Sequence, residues 1–166
     1  MKKLCLILLV ILTCSFSPKP KATHLEVYKE IVALDIKFPD IAYAQAVLES
    51  GAFKSKICLK NNNLFGMRMP SNRKTTAIRK RYGYAVYKNW KDSIKDYKLW
   101  QDMVLNKNPN MSRSQYKKYI NRIYSTSKNY ISKINIISNV RKTKDIQMII
   151  DLDSSYVFEH SQIPKS

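Results

Sequence analysis

Glu49 is the carboxylate whose setting most favours chemistry. It closes the stretch Ala44-Gln45-Ala46-Val47-Leu48-Glu49-Ser50-Gly51. Pro39 and Asp40 mark a helix start, Ile41, Ala44, Gln45 and Leu48 recur at helical spacing, and Gly51 suits the residue just past a helix end. Glu49 then sits in the last turn, where the negative end of the helix dipole and an apolar wall both oppose ionisation. A carboxylic acid held protonated near neutral pH can donate a proton to a leaving group. The same pattern fits a surface glutamate that merely ends a helix, and spacing alone leaves both open.

The residues around Glu49 continue in a recognisable order. Ala44, Gln45, Leu48, Glu49, Ser50 and Gly51, then Ser55, then Asn62, Asn63, Leu64, Phe65 and Gly66 follow one another. This order resembles the glucosaminidase domain of bacterial peptidoglycan hydrolases, glycoside hydrolase family seventy-three of the lysozyme-like superfamily. The resemblance implies a mainly α (α+β) fold, a lysozyme-like helical domain with a small β-hairpin lobe flanking a groove. It implies that Glu49 is the general acid for cleaving a β-1,4 bond beside an N-acetylated sugar. Gln45, Ser50 and Asn63 are then substrate-binding residues, with Phe65 packed under the groove floor. Ser93-Ile94-Lys95-Asp96-Tyr97 resembles the family's Ser-x-x-Asp-Tyr, read as structural. Tyr124 to Tyr130 resembles Tyr-Ala-Thr-Asp-Pro-x-Tyr, with Ser127 and Lys128 in place of Asp-Pro. In relatives a tyrosine of this motif faces the catalytic glutamate, which implies a catalytic place for Tyr124 and a substrate-binding one for Tyr130. The resemblance covers residues 25–140.

One departure stands out. Several family members carry a second glutamate in the β-lobe, whereas no Asp or Glu occurs here from Ser50 through Lys91. The usual two-carboxylate scheme of glycosidases does not carry over whole. The substrate's own 2-acetamido group, a tyrosine that positions water, or Asp92 or Asp96 from the next helix are the substitutes. The alternative is a non-catalytic module that only binds cell wall. Muramidase, lytic transglycosylase and N-linked chitobiose specificities also stay open.

The elements that must hold these groups are legible. Thr23 with Glu26 forms a capping-box pattern for a first helix to about Ile36, with Leu25, Tyr28, Ile31 and Val32 as its apolar face. A short helix is expected from Ser55 into the asparagine run 61–63. Residues 64–88 alternate and carry β-branched side chains, which predicts two or three short strands around a polar turn at 70–74. Tyr82, Tyr84 and Tyr87 cluster there and could stack on sugar rings or pack the hairpin. Asn89 to about Leu105 reads as a helix with Trp90, Ile94, Tyr97, Gln101 and Val104 on one side. Ser112 and Gln115 cap another, carrying Tyr116, Tyr119, Ile120 and Ile123. Ile131, Ile134, Ile137 and Val140 give a last core helix. Ile146 to Leu152 is a further helix or strand.

Composition frames the rest. The 166 residues are 45% hydrophobic with six Pro and three Gly, enough chain for one domain with a core. Net charge is +18, which admits anionic polysaccharide, membrane or nucleic acid as partner. No nucleic-acid-binding motif accompanies the charge. The resemblance implies peptidoglycan glycan strands as the partner, and a monomer is expected. Residues 1–22 read as a secretion signal: Lys2 and Lys3, then an apolar run from Leu4 to Leu12. Cys14 after Ile11-Leu12-Thr13 resembles a lipobox, which would attach the chain to the membrane. Ordinary cleavage near Ser17 or Ala22 is the other route. Either places the protein in the periplasm or cell envelope. The domain is expected over 23–150 and a tail over 151–166. Cys58 is expected as a small buried residue, and His24 and His160 are far apart, so no metal or other cofactor is expected.

Overall fold

The structure is a computed structural model that describes residues 22–124 and 129–140. The leader, the Ser127-Lys128 substitution, the segment 146–152 and the tail lie outside these residues. The order is α1 His24–Ala33, α2 Pro39–Glu49, α3 Lys56–Asn61, β1 Arg79–Arg81, β2 Tyr84–Val86, α4 Trp90–Asn106, α5 Arg113–Tyr124 and α6 Tyr130–Val140. The domain is mainly helical with a small antiparallel hairpin, as the sequence predicts.

Helix starts fall where cap chemistry puts them. Thr23 and Glu26 exchange capping-box bonds at α1, Ser55 accepts from the Cys58 N–H at α3, and Asn89 accepts from the Asp92 N–H at α4. Ser112 and Gln115 bond reciprocally ahead of α5. α2 has no side-chain cap. Phe38 precedes it at φ +58°, Pro39 supplies a preset first turn, and Arg113 of α5 clamps Asp40 through both guanidinium nitrogens.

α2 is the central element and packs chiefly against α6, then α1. Ile41 through Ala46 are all buried, so the helix is covered all round rather than on the single face that spacing implies. Its small residues, Ala42, Ala44 and Ala46, let neighbouring helices come close. Val27 and Ile31 of α1, Ile94, Tyr97 and Val104 of α4, and Ile134 of α6 complete one core.

The hairpin corrects the expected turn at 70–74. The chain reverses at Tyr82 (φ +53°) and Gly83 (φ +81°), a two-residue turn with positive φ at both positions. Arg79 pairs with Val86 and Arg81 with Tyr84. The alternation of Phe65, Met67 and Met69 reflects loop packing: among the described residues no strand covers 64–78. Strands of three residues do not hold themselves together, and the asparagine run holds these. Asn61 Nδ2 donates to the Arg81 carbonyl at 3.1 Å, and Asn62 Nδ2 to the Tyr87 carbonyl at 2.9 Å. Asn63 is 1% exposed. Its Nδ2 donates to the Met67 and Ala85 carbonyls at 2.9 and 3.0 Å, and its Oδ1 accepts from the Phe65 and Met67 N–H groups.

Asn63→Ala orphans two carbonyls and two N–H groups in a dry setting. It is expected to cost about 3 kcal/mol by denaturant unfolding, given roughly 1–3 kcal/mol for each unsatisfied group and partial relaxation. Amide exchange in residues 79–86 should accelerate more than in α4. Unchanged stability would show that the lobe is held elsewhere.

Candidate active site

α2 ends at Glu49, and Ser50 turns the chain away. The Ser50 hydroxyl donates to the Ala46 carbonyl at 2.5 Å and accepts from the Phe53 N–H at 2.8 Å. Glu49 lines a cleft of about 700 Å³ with Gly66, Arg68, Tyr84, Trp100 and Tyr124. Gly66 has φ +61°, and a Cβ there would lie 3.6 Å from Glu49 Oε2. The glycine thus keeps open the space in front of that oxygen.

The other oxygen is held. The Tyr130 hydroxyl donates to Glu49 Oε1 at 3.0 Å and accepts from Gln45 Nε2 at 3.2 Å. Tyr97 donates to Gln45 Oε1 at 2.6 Å, and its hydroxyl lies 2.7 Å from that of Tyr116. Gln101 Nε2 donates to Tyr116 at 2.9 Å. Each donor direction follows from counting protons. An amide oxygen only accepts, so Tyr97 spends its single proton on Gln45, and Tyr116 must then donate to Tyr97. The Lys37 backbone fixes the Gln101 amide, its N–H donating to Oε1 and its carbonyl accepting from Nε2, both at 2.8 Å. One donated proton at each of Gln101, Tyr116, Tyr97, Gln45 and Tyr130 points along the chain towards Glu49.

Burial raises the pKa of Glu49 above the usual carboxylate range, and the bond from Tyr130 opposes that rise. Burial also raises the tyrosines. Tyr116 is pushed up to about 12, Tyr97 well above its ordinary value, and Tyr130 up by burial and then by the Glu49 charge. Each phenol therefore keeps the proton the chain requires. Tyr124 is raised by burial first, with the Glu49 charge contributing. Its ring meets Trp100 edge-on at 5.7 Å.

The sequence-derived residues divide into three groups. Glu49, Tyr84 and Tyr124 line the cleft, and Tyr130 reaches Glu49 from beneath. Gln45, Ser50 and Asn63 were expected to contact substrate, Phe65 to support the groove floor and Tyr87 to meet sugar or pack the hairpin; each is at most 2% exposed. Their polar groups are spent inside the protein, so they shape the site without facing it. Phe65 stacks on Tyr97 at 4.2 Å between ring centroids. The Tyr87 hydroxyl donates to Asp96 Oδ2 at 2.7 Å. Tyr82 is exposed at the hairpin turn, outside the Glu49 cleft.

Asp96 is fully buried and held by Arg73, with its two oxygens 2.6 and 3.1 Å from the guanidinium nitrogens. It is structural, as the sequence reading has it, and Asp92 lies in the first turn of α4, where its carboxylate accepts from Asn89 Nδ2 at 2.9 Å. Among the described residues lining the cleft, Glu49 is the one carboxylate. Sequence reasoning missed Arg68 and Trp100 as cleft residues. Trp100 lies one helical turn from Asp96 and Tyr97, and that spacing was the available signal. Cys58 is buried as expected, its thiol pushed up to about 11 by burial. No group of three or more His, Cys, Asp or Glu that could hold a metal occurs among the described residues.

Residues 26–142 match the glucosaminidase family, described as mannosyl-glycoprotein endo-beta-N-acetylglucosaminidase. No curated protein matches the chain. Among solved structures, the catalytic domain of the autolysin Auto from Listeria monocytogenes is similar, at a TM-score of 0.48 and 20% identity over 69% of this chain and 79% of that one. The family match runs from α1 to the end of α6 and takes in Glu49, Tyr124 and Tyr130 alike. The chain belongs to the glucosaminidase family.

Proposed function

We propose that this protein is an exported peptidoglycan hydrolase, an endo-β-N-acetylglucosaminidase in which Glu49 is the general acid. The observation that carries the proposal is the division of labour on the Glu49 carboxyl. Oε1 is fixed by Tyr130, and Oε2 faces the open space over Gly66. The neutral acid then carries its proton on Oε2, aimed at a glycosidic oxygen lying in the cleft. Tyr84, Trp100 and Tyr124 offer ring faces and edges to pyranose rings. Export rests on the sequence signal at Lys2 to Leu12, with lipidation at Cys14 as its membrane-anchored form.

The single carboxylate directs the chemistry. The 2-acetamido oxygen of the bound sugar attacks its own C1, and the C1–O bond breaks. The leaving oxygen takes the bond pair and the Glu49 proton. Water then adds to C1 and opens the cyclic oxazolinium, and the Glu49 carboxylate takes the proton that water releases. Tyr124 orients the acetamido group or the water. The missing second acid also favours one other reading, a wall-binding module without turnover, and the first experiment separates the two.

The purified mature domain is incubated with peptidoglycan, and borohydride-reduced products are read by mass spectrometry. Reduced N-acetylglucosamine ends are expected from the wild type, with a loss of about 10³-fold in Glu49→Gln. Reduced muramic ends would reassign the bond. Full activity in Glu49→Gln would overturn the role of Glu49. Binding without products from the wild type would establish the module.

Stability gives a second test of the same side chain. The folded pKa of Glu49 lies above its ordinary 4.5, so ionisation opposes folding. The wild type is then as stable as Glu49→Gln below that ordinary value and loses ground as pH rises through the folded pKa. The melting temperature of Glu49→Gln should exceed that of the wild type at neutral pH, with the gap closing in acid. A constant gap would place the difference in packing.

The alkaline limb of kcat/KM is the loss of the Glu49 proton. Tyr130→Phe removes a bond that favours the anion, so the limb should move to higher pH. A limb that stays in place would detach Tyr130 from the titration.

A further inference from the structure

The Glu49 cleft does not end at Tyr84. Arg68, Met69 and Tyr84 also line a second space of about 360 Å³, closed by Lys80, Tyr82 and Gly83 at the hairpin turn. One extended ligand can therefore occupy both. The walls of this second space are cationic and uncompensated. Arg73 and Arg113 are spent on Asp96 and Asp40, whereas Arg68 and Lys80 have no ion pair among the described residues. The chain supplies no acid anywhere from Ser50 through Lys91.

Further charge gathers at the turn. The Lys56 ammonium lies 5.1 Å and the Arg81 guanidinium 4.9 Å from the centre of the Tyr82 ring. Arg81 also donates to the Tyr82 hydroxyl at 3.3 Å. Tyr82 registers the field: the Arg81 bond, then the charges of Arg81, Lys56 and Lys60, lower its pKa although it is exposed. Tyr82 holds φ +53°, a region where Asn or Gly is cheaper than an aromatic residue. Stability alone argues against both the clustered like charges and the strained tyrosine.

We propose that this space is an anion subsite of the groove, which takes a carboxylate carried by the glycan strand being cut. Arg68 is its bidentate donor and Lys80 its second charge. The assignment rests on the glucosaminidase reading above and narrows it. It selects acidic wall glycan, whose peptide stems carry free carboxylates, over neutral chitin or a neutral N-linked core. Arg68 suits the task because a guanidinium matches a carboxylate with two parallel bonds and lines both spaces at once.

The test compares kcat/KM on three substrates: phosphate-free peptidoglycan with free stem carboxylates, the same material with those carboxylates converted to methylamides, and a neutral N-acetylglucosamine hexamer. The wild type should prefer the free-carboxylate form. Arg68→Gln and Lys80→Gln should each reduce that preference about tenfold, the worth of one charged hydrogen bond. Lys133→Gln, which removes an exposed charge on α6, should keep it. The preference surviving both cleft variants, or falling as far in Lys133→Gln, would overturn the subsite in favour of a general field effect. A preference seen only with walls that retain phosphate polymers would make the ligand phosphate and overturn the carboxylate. Titration of soluble fragments into Glu49→Gln reads binding without turnover. Carboxylate-dependent binding there, weakened by Arg68→Gln, supports the subsite even if no bond is cut, in which case the hydrolase reading alone fails.

Discussion

The fold is arranged around one buried requirement, that a carboxyl at the end of α2 be held by hydrogen bonds from neutral groups. The chain of donors that meets it starts at the Lys37 backbone and crosses Gln101 of α4, Tyr116 of α5, Tyr97 of α4, Gln45 of α2 and Tyr130 of α6. Four helices are thus tied together by buried polar groups that satisfy one another. Cutting any link leaves a polar atom stranded in a dry interior, at roughly 1–3 kcal/mol. The chain therefore fixes the relative placement of the helices as well as the posture of Glu49.

The β-lobe is built on the opposite principle. Its strands are too short to persist alone, and its outward side chains are basic. Asparagines at and just past the end of α3 reinforce the short ladder, and Arg73 and Tyr87 fasten the lobe to Asp96 of α4. An internal seam leaves the rim free to carry Arg68, Lys80 and Tyr82, which line the space beside the Glu49 cleft.

The helices were legible in the sequence because caps and apolar periods are local properties. Thr23, Ser55, Asn89 and Ser112 each announce a start that backbone geometry reproduces. The hairpin was misplaced because its register is set by distant asparagines, and because a tyrosine occupies a turn position that usually advertises itself with Asn or Gly. Site residues were harder for a different reason. Residue type states what a side chain can do but not where it points. Gln45, Asn63 and Tyr87 resemble groove residues in a sequence and lie beneath the groove in space, while Arg68 carried no local mark and Trp100 only its helical spacing from Asp96 and Tyr97.

The neutral character of the Glu49 partner separates this carboxyl from the other two drawn into the fold. Asp40 faces Arg113, and Asp96 faces Arg73. Burial pushes the Asp40 carboxyl up, but the Arg113 bonds and charge outweigh it, and the net pKa is lowered. Asp40, favoured in its anionic form by a guanidinium, is poorly suited to deliver a proton. Glu49 instead meets a phenol, whose single bond eases the anion without fixing it. Burial favours the protonated state and the Tyr130 bond favours the carboxylate. In the cycle proposed above, a single carboxylate runs through both states. A buried acid at the head of a chain of neutral donors can do so, whereas an ion-paired carboxylate in the same cleft would be held to its anionic form.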